Sequence, residues 1–167
     1  PAERFLPVPD PASSGTHPCR NEAMTRVAAI DCGTNSIRLL VADGRIGEDG
    51  RPHLSDLTRQ MRIVLLGQGV DARGYLDPAA IERTVEATVE YQRMIEALGA
   101  TSTRFVATSA TRDASNSADF VRQIKAVIGV EPEVVVGTEE ASLSFNGAVS
   151  GLGESVTAPM LVVDIGG

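Results

Sequence analysis

The chain reads as an α/β protein with a mixed sheet flanked by helices, and three observations predict this. Apolar runs of strand length fill residues 26–66 with no helical period among them. Beyond Asp77 the pattern changes to helical stretches alternating with short buried-strand runs. An apolar strand ending in Asp-x-Gly and a small residue then occurs twice, at Asp31-Cys32-Gly33-Thr34 and at Asp164-Ile165-Gly166-Gly167, a self-similarity that suggests two related lobes.

Residues 1–23 carry Pro1, Pro7, Pro9, Pro11 and Pro18 among Ser and Gly without either period, so they read as a disordered leader, with Met24 as the natural start. Val27 to Ile30 form a buried-strand run that ends at Asp31, turns through Gly33-Thr34-Asn35 and resumes from Ile37 to Ala42, which predicts a hairpin. Leu54 to Leu66 add a third antiparallel strand, closed by Gly67 and Gly69. Asp77 as N-cap, Pro78 at the first helical position and Gly99 past the end bracket a helix that faces Ile81, Val85, Ile95 and Leu98 to the core. Arg104 to Ala107 form a strand. Phe120, Ile124, Val127 and Ile128 give an amphipathic helix closed by Gly129. Val134 to Val136 form the next strand, Thr138 caps a third helix with Glu139 and Glu140 in its first turn, and Met160 to Val163 begin a new strand ending at Asp164.

A chain of 167 residues, 43% hydrophobic and 22% charged, can bury one ordinary core. It has no run near the roughly 20 apolar residues of a membrane span, and its start lacks the order of a secretory signal, so the expected location is cytoplasmic. Cys19 and Cys32 suggest reduced thiols, not a disulfide framework. A net charge of -7 argues against nucleic acid or an anionic membrane as partner, so any polyanion must be held locally. Lys125 is the only lysine. The positive charge is therefore nearly all arginine, which suits forked binding of phosphate oxygens and is equally what codon bias would produce.

A strand that ends in Asp and turns through glycine lets backbone N–H groups approach phosphate oxygens closely. Gly33 offers the approach, and Thr34, Asn35 and Ser36 add side-chain donors. Asp31 can hold hydrated Mg²⁺, whose charge would offset that of a phosphate chain. Taken alone, the same six residues are a polar hairpin turn, and it is the second copy at Asp164 that favours phosphate. A rival reading takes Cys32 as a thiolate nucleophile with Arg38 as phosphate binder, but that arrangement wants a helix after the loop, where Ile37 to Val41 continue as strand. Glu139 and Glu140 have a plain structural reading as helix-start acids, and Arg112 as a surface arginine.

Together these residues resemble the exopolyphosphatase and guanosine pentaphosphate phosphohydrolase family, Ppx/GppA, within the actin, sugar-kinase and heat-shock ATPase superfamily. The resemblance rests on Val27 to Ser36, Leu66 to Asp71, Ala107 to Asn116, Thr138 to Ala141 and Leu161 to Gly167, in the family's order. It implies an actin-like (ribonuclease-H-like) fold. Residues 24–159 would be the first lobe with a connecting helix, and residues 160–167 the first strand and truncated phosphate loop of a second lobe missing from this chain. It implies Glu140 as the base that activates water and Arg112 as the binder of the attacked phosphate. Gly33, Thr34, Asn35 and Ser36, with Gly166 and Gly167, would cradle phosphate, and Asp31 and Asp164 would serve Mg²⁺. The implied substrates are inorganic polyphosphate or guanosine pentaphosphate, and the implied assembly is a homodimer. Leu65 stands where the family commonly has arginine, which implies a missing chain contact. With half a cleft the chain is expected to turn over weakly or not at all. The alternatives are an ATP-dependent kinase or ATPase of the same superfamily, and a polyphosphate- or alarmone-binding protein without catalysis.

Overall fold

The structure, a computed structural model, describes residues 24–48, 50–150 and 159–163. The leader at residues 1–23 and the site candidates Asp164, Gly166 and Gly167 lie outside the described residues. In chain order the elements are β1 (Thr25–Cys32), β2 (Ser36–Ile46), β3 (Pro52–Ile63), α1 (Val70–Arg73) and α2 (Pro78–Leu98). They continue with β4 (Ser102–Ala107), α3 (Ser109–Arg112), α4 (Ser117–Ile128), β5 (Glu133–Val134) and α5 (Gly137–Ser150).

One mixed sheet of five strands runs in the order β3-β2-β1-β4-β5. The first three strands form an antiparallel meander, while β4 and β5 join in parallel to β1. Alternation along β1 decides how the sheet is oriented. Ala28, Ile30 and Cys32 are buried, while Ala29 and Asp31 between them are exposed. The same rule puts Ile37, Leu39 and Val41 of β2, and Phe105 and Ala107 of β4, on the buried face. Helices α2 and α4 cover that face, adding Ile81, Tyr91, Ile95, Phe120, Ile124 and Ile128 to one continuous core.

Helix α2 is bounded as its sequence signals require. The Asp77 carboxylate accepts from the N–H of Ala79 at 2.9 Å, Pro78 opens the helix, and Gly99 leaves it at φ 71°. Two polar residues sit within its buried face. Thr84 and Thr88 satisfy their hydroxyls on the carbonyls of Ala80 and Thr84, each at 2.8 Å, and so enter the core at little polar cost. Tyr91 reaches the sheet and donates its hydroxyl to the Ile37 carbonyl at 3.0 Å. At the far end of the sheet, Arg26 forks onto Asp43 at 2.7 and 2.9 Å and also donates to the Leu98 carbonyl.

The structure corrects three expected elements. The strand expected at Val134 to Val136 is the two-residue β5, Glu133–Val134, with Val135 still donating its N–H to the Ala107 carbonyl at 3.0 Å before α5 begins at Gly137. Thr138 is not a cap: α5 starts one residue earlier, and the Val136 carbonyl accepts from the N–H groups of Glu139 and Glu140, each at 3.0 Å. Glu139 and Glu140 do lie in the first turn. Residues 160–163 form no strand, since no neighbouring strand among the described residues supplies a ladder for them, and Leu161 and Val163 are exposed.

The cap leads to an expected pH dependence. The Ala79 N–H bond, and next the Arg73 guanidinium, hold the Asp77 carboxyl below its ordinary pKa. A carboxyl depressed on folding contributes stability that is fully present above the ordinary carboxylate pKa and lost as pH falls through the lower folded value. Asp77→Ala should therefore lower the urea midpoint at pH 7, and the gap from the parent chain should close as the pH is taken below about 4. Urea melts across that range check it, and a gap that stays constant would contradict the cap.

Candidate active site

The carboxyl ends of β1, β4 and β5 face the same way because the three strands run parallel, so the loops that follow them meet. After β1, the N–H of Gly33 donates to the Ser36 carbonyl at 3.0 Å and closes a tight turn. The segment after β3 locks onto this turn: Val64 and Leu65 donate to the Asn35 carbonyl, each at 3.0 Å, and Gly67 donates to that of Thr34 at 2.9 Å. Gly67 must be small. A Cβ there would lie 2.3 Å from Thr34 Cγ2 and 3.1 Å from Ala110 Cβ. Beyond β4, Thr108 donates to the Cys32 carbonyl at 3.2 Å, and Ser109 Oγ meets Thr34 Oγ1 at 3.0 Å. Leu65, next to this junction, is partly exposed and held at φ 51°, a left-handed backbone that a non-glycine residue adopts only at a cost.

The expected phosphate-loop residues are thus one turn with distinct tasks. Gly33 commits its N–H within the turn and contributes openness. Thr34 is tied to Ser109, Asn35 is exposed, and Ser36 is half-buried at the start of β2. Asp31 projects from the face opposite the core, with Arg38 across the strand pair at 3.9 Å. Cys32 projects the other way and is 1% exposed, and burial, followed by the nearby Asp31 charge, pushes its thiol well above the ordinary range. Cys32 and Arg38 therefore lie on opposite faces of the sheet, and a neutral buried thiol is no nucleophile. The cysteine-phosphatase reading fails on this geometry.

The second half of the site comes from β4, α3, β5 and α5. Arg112, in the last turn of α3, donates through Nη1 to the Val135 carbonyl at 3.1 Å and through Nε to Asp113 at 3.3 Å. The same Nη1 lies 3.7 Å from Glu140 Oε2, so the two residues taken from the sequence as phosphate binder and base are neighbours. Both side chains remain partly exposed, at 32% and 40%. Arg104 was read only as a strand residue. It forks onto Glu133 at 3.0 and 2.6 Å and lies 3.5 Å from Glu139, joining β4, β5 and the start of α5. The Arg104 hydrogen bond holds the Glu133 carboxyl below its ordinary pKa.

Among the described residues no three His, Cys, Asp or Glu side chains are grouped to enclose a metal. Asp31 fits the other mode of Mg²⁺ binding, in which one or two carboxylates suffice and water and phosphate oxygens supply the rest.

Fold and loops together define an actin-like α/β lobe with a polar, arginine-containing site at the ends of its parallel strands. The profile of the Ppx/GppA phosphatase family matches residues 45–167, and the chain belongs to that family. It is 51% identical over 150 residues to exopolyphosphatase 2 of Mycobacterium tuberculosis, covering 87% of this chain and 46% of that protein. It is 32% identical over 142 residues to a bifunctional 3-dehydroquinate synthase/phosphatase of Fusobacterium nucleatum, covering 84% and 21%. Among solved structures, a Ppx/GppA family member from Aquifex aeolicus superposes with a TM-score of 0.68 at 32% identity, covering 78% of this chain and 41% of that one. An exopolyphosphatase from Cytophaga hutchinsonii gives 0.68 at 29% identity, covering 77% and 39%. The chain spans about half the length, or less, of the relatives it matches.

Two outcomes are expected of this geometry. Gly67→Ala should destabilise the chain by about 1–3 kcal/mol, because Thr34 cannot rotate away without releasing Ser109. Chemical denaturation checks this, and an unchanged midpoint would refute the close approach. Iodoacetamide should leave the Cys32 peptide unmodified in the native protein and label it in urea, as read by mass spectrometry, whereas rapid native labelling would overturn its burial.

Proposed function

We propose that this sequence is the amino-terminal part of a protein that hydrolyses the end of an inorganic polyphosphate chain, releasing orthophosphate. The observation that carries the reading is the adjacency of Arg112 and Glu140 at 3.7 Å, beside the interlocked Thr34–Ser109 loops. In this mechanism the terminal phosphoryl group sits against Gly33, Thr34, Asn35 and Ser36 on one side and the Arg112 guanidinium on the other. Glu140 takes a proton from a water as its oxygen bonds to the terminal phosphorus. The bridging P–O bond breaks, and its electron pair stays on the oxygen of the shortened chain. Arg112 offsets charge on the transferring phosphoryl oxygens. Asp31, with Asp164 of the second Asp-x-Gly turn, would hold Mg²⁺, which when bound supplies charge neutralisation to the chain. Gly166 and Gly167 would add the opposing phosphate contacts.

On this reading residues 24–159 form a first lobe and residues 160–167 open the second, so the cleft is complete only in the two-lobed protein. Guanosine pentaphosphate is the other substrate of the same chemistry, a homodimer the proposed assembly and the cytoplasm the proposed location. No helix among the described residues is long and apolar enough to cross a membrane.

The full-length protein should release orthophosphate from polyphosphate without ATP, and EDTA should abolish the release. Glu140→Gln should lower kcat by about 10²–10⁴-fold with a much smaller change in KM. Release that requires a nucleoside triphosphate would favour the kinase or ATPase class. Polyphosphate binding without release, unaltered by Glu140→Gln, would leave only a binding protein.

A further inference from the structure

The guanidinium of Arg112 faces two carboxylates, Asp113 next in the chain at 3.3 Å from Nε and Glu140 across the loops at 3.7 Å from Nη1. Arg112 Nη1 is anchored by the carbonyl of Val135, just past β5, at 3.1 Å, and Glu140 Oε2 stands 3.7 Å from that nitrogen. The approach is within ion-pair range but longer than a hydrogen bond, and both side chains are partly open to solvent. Such a pair is weak and readily exchanged. Glu140 stands in the first turn of helix α5, and its approach to Arg112 is an ion-pair contact between partly exposed side chains.

We infer that Glu140 has a second task, which rests on the proposed role of Arg112 as a phosphate binder: it competes with phosphate for the Arg112 guanidinium. A chain end, held also by the Thr34 to Ser36 turn and by its preceding phosphates, displaces the carboxylate from the arginine. The displaced Glu140 then stands beside the phosphoryl group, free to take a proton from water. Once the P–O bond has broken, orthophosphate has lost the contacts that the rest of the chain supplied. Glu140 returns to Arg112 and the product leaves. One carboxylate thereby sets both the protonation step and the weakness of product binding.

The adjacent acid provides an internal control. Glu139 carries the same charge one residue away but faces Arg104 at 3.5 Å, not Arg112. Orthophosphate binding to the full-length protein, measured by calorimetry or equilibrium dialysis, should tighten roughly two- to fivefold in Glu140→Gln, the scale of releasing one exposed ion pair. Glu139→Gln should leave it near the parent value. In the double variant Arg112→Ala/Glu140→Gln the gain over Arg112→Ala should vanish. Equal tightening in Glu139→Gln would reduce the effect to general charge repulsion and overturn the inference, as would unchanged or weaker binding in Glu140→Gln. Turnover of Glu140→Gln decides the separate question of its role as base, so the two readings fail on different measurements.

Discussion

The two-faced alternation of β1 is the constraint on which the other features depend. β1 lies at the centre of the sheet, antiparallel to β2 and parallel to β4, so its side-chain register is fixed from both sides. Ile30 and Cys32 are sealed under α2 and α4, and that burial alone dictates that Asp31 emerges on the opposite face. A slip of one residue would bury a carboxylate and expose two apolar side chains, a combination costing several kcal/mol. The position of the acidic group at the strand end is therefore enforced by hydrophobic burial two residues deep. It also explains why Cys32, adjacent in sequence, takes no part in the chemistry.

From that anchor the site is assembled by backbone hydrogen bonds more than by side chains. Carbonyls of Cys32, Thr34 and Asn35 each receive an N–H from a segment distant in sequence, and those segments lead to Gly67 and to α3. Each bond is worth only about 1 kcal/mol net, but leaving such groups unpaired at a crowded loop junction would cost more. The turn that faces the proposed ligand is thereby held on two sides before any ligand arrives. Preorganisation of this kind reserves binding energy for the reacting state.

The elements legible in the sequence were those with local signals: the Asp77-Pro78 start and Gly99 end of α2, the Gly129 stop of α4, and the alternation of β1 and β2. The rest depends on tertiary context. Thr84 and Thr88 looked polar, yet they bond to their own helix and pass into the core, and Tyr91 is buried because a carbonyl of β2 waits for its hydroxyl. Val134 to Val136 have strand propensity, but only Val134 falls within β5 before the chain must turn. Thr138 is a good cap by type, whereas α5 already begins at Gly137. At the site, the contact between Arg112 and Glu140 and the link through Arg104 depend on how three loops meet and leave no periodic trace.

Helix α5 meets the sheet by a different kind of contact from α2 and α4. Helices α2 and α4 are fixed by Phe120, Ile124, Tyr91 and other fully buried side chains, and they support a turn that must not move. Helix α5 buries no side chain and meets the sheet through charged contacts at its first turn, Arg104 with Glu139 and Arg112 with Glu140. Partly exposed ion pairs of this type contribute little to stability and weaken in salt. On the proposed mechanism, a carboxylate that first yields a guanidinium and then accepts a proton makes exchanges that a partly exposed ion pair permits. On the proposed reading, the packed parts of the lobe hold the phosphate loop, and Glu140 meets the lobe through a partly exposed ion pair.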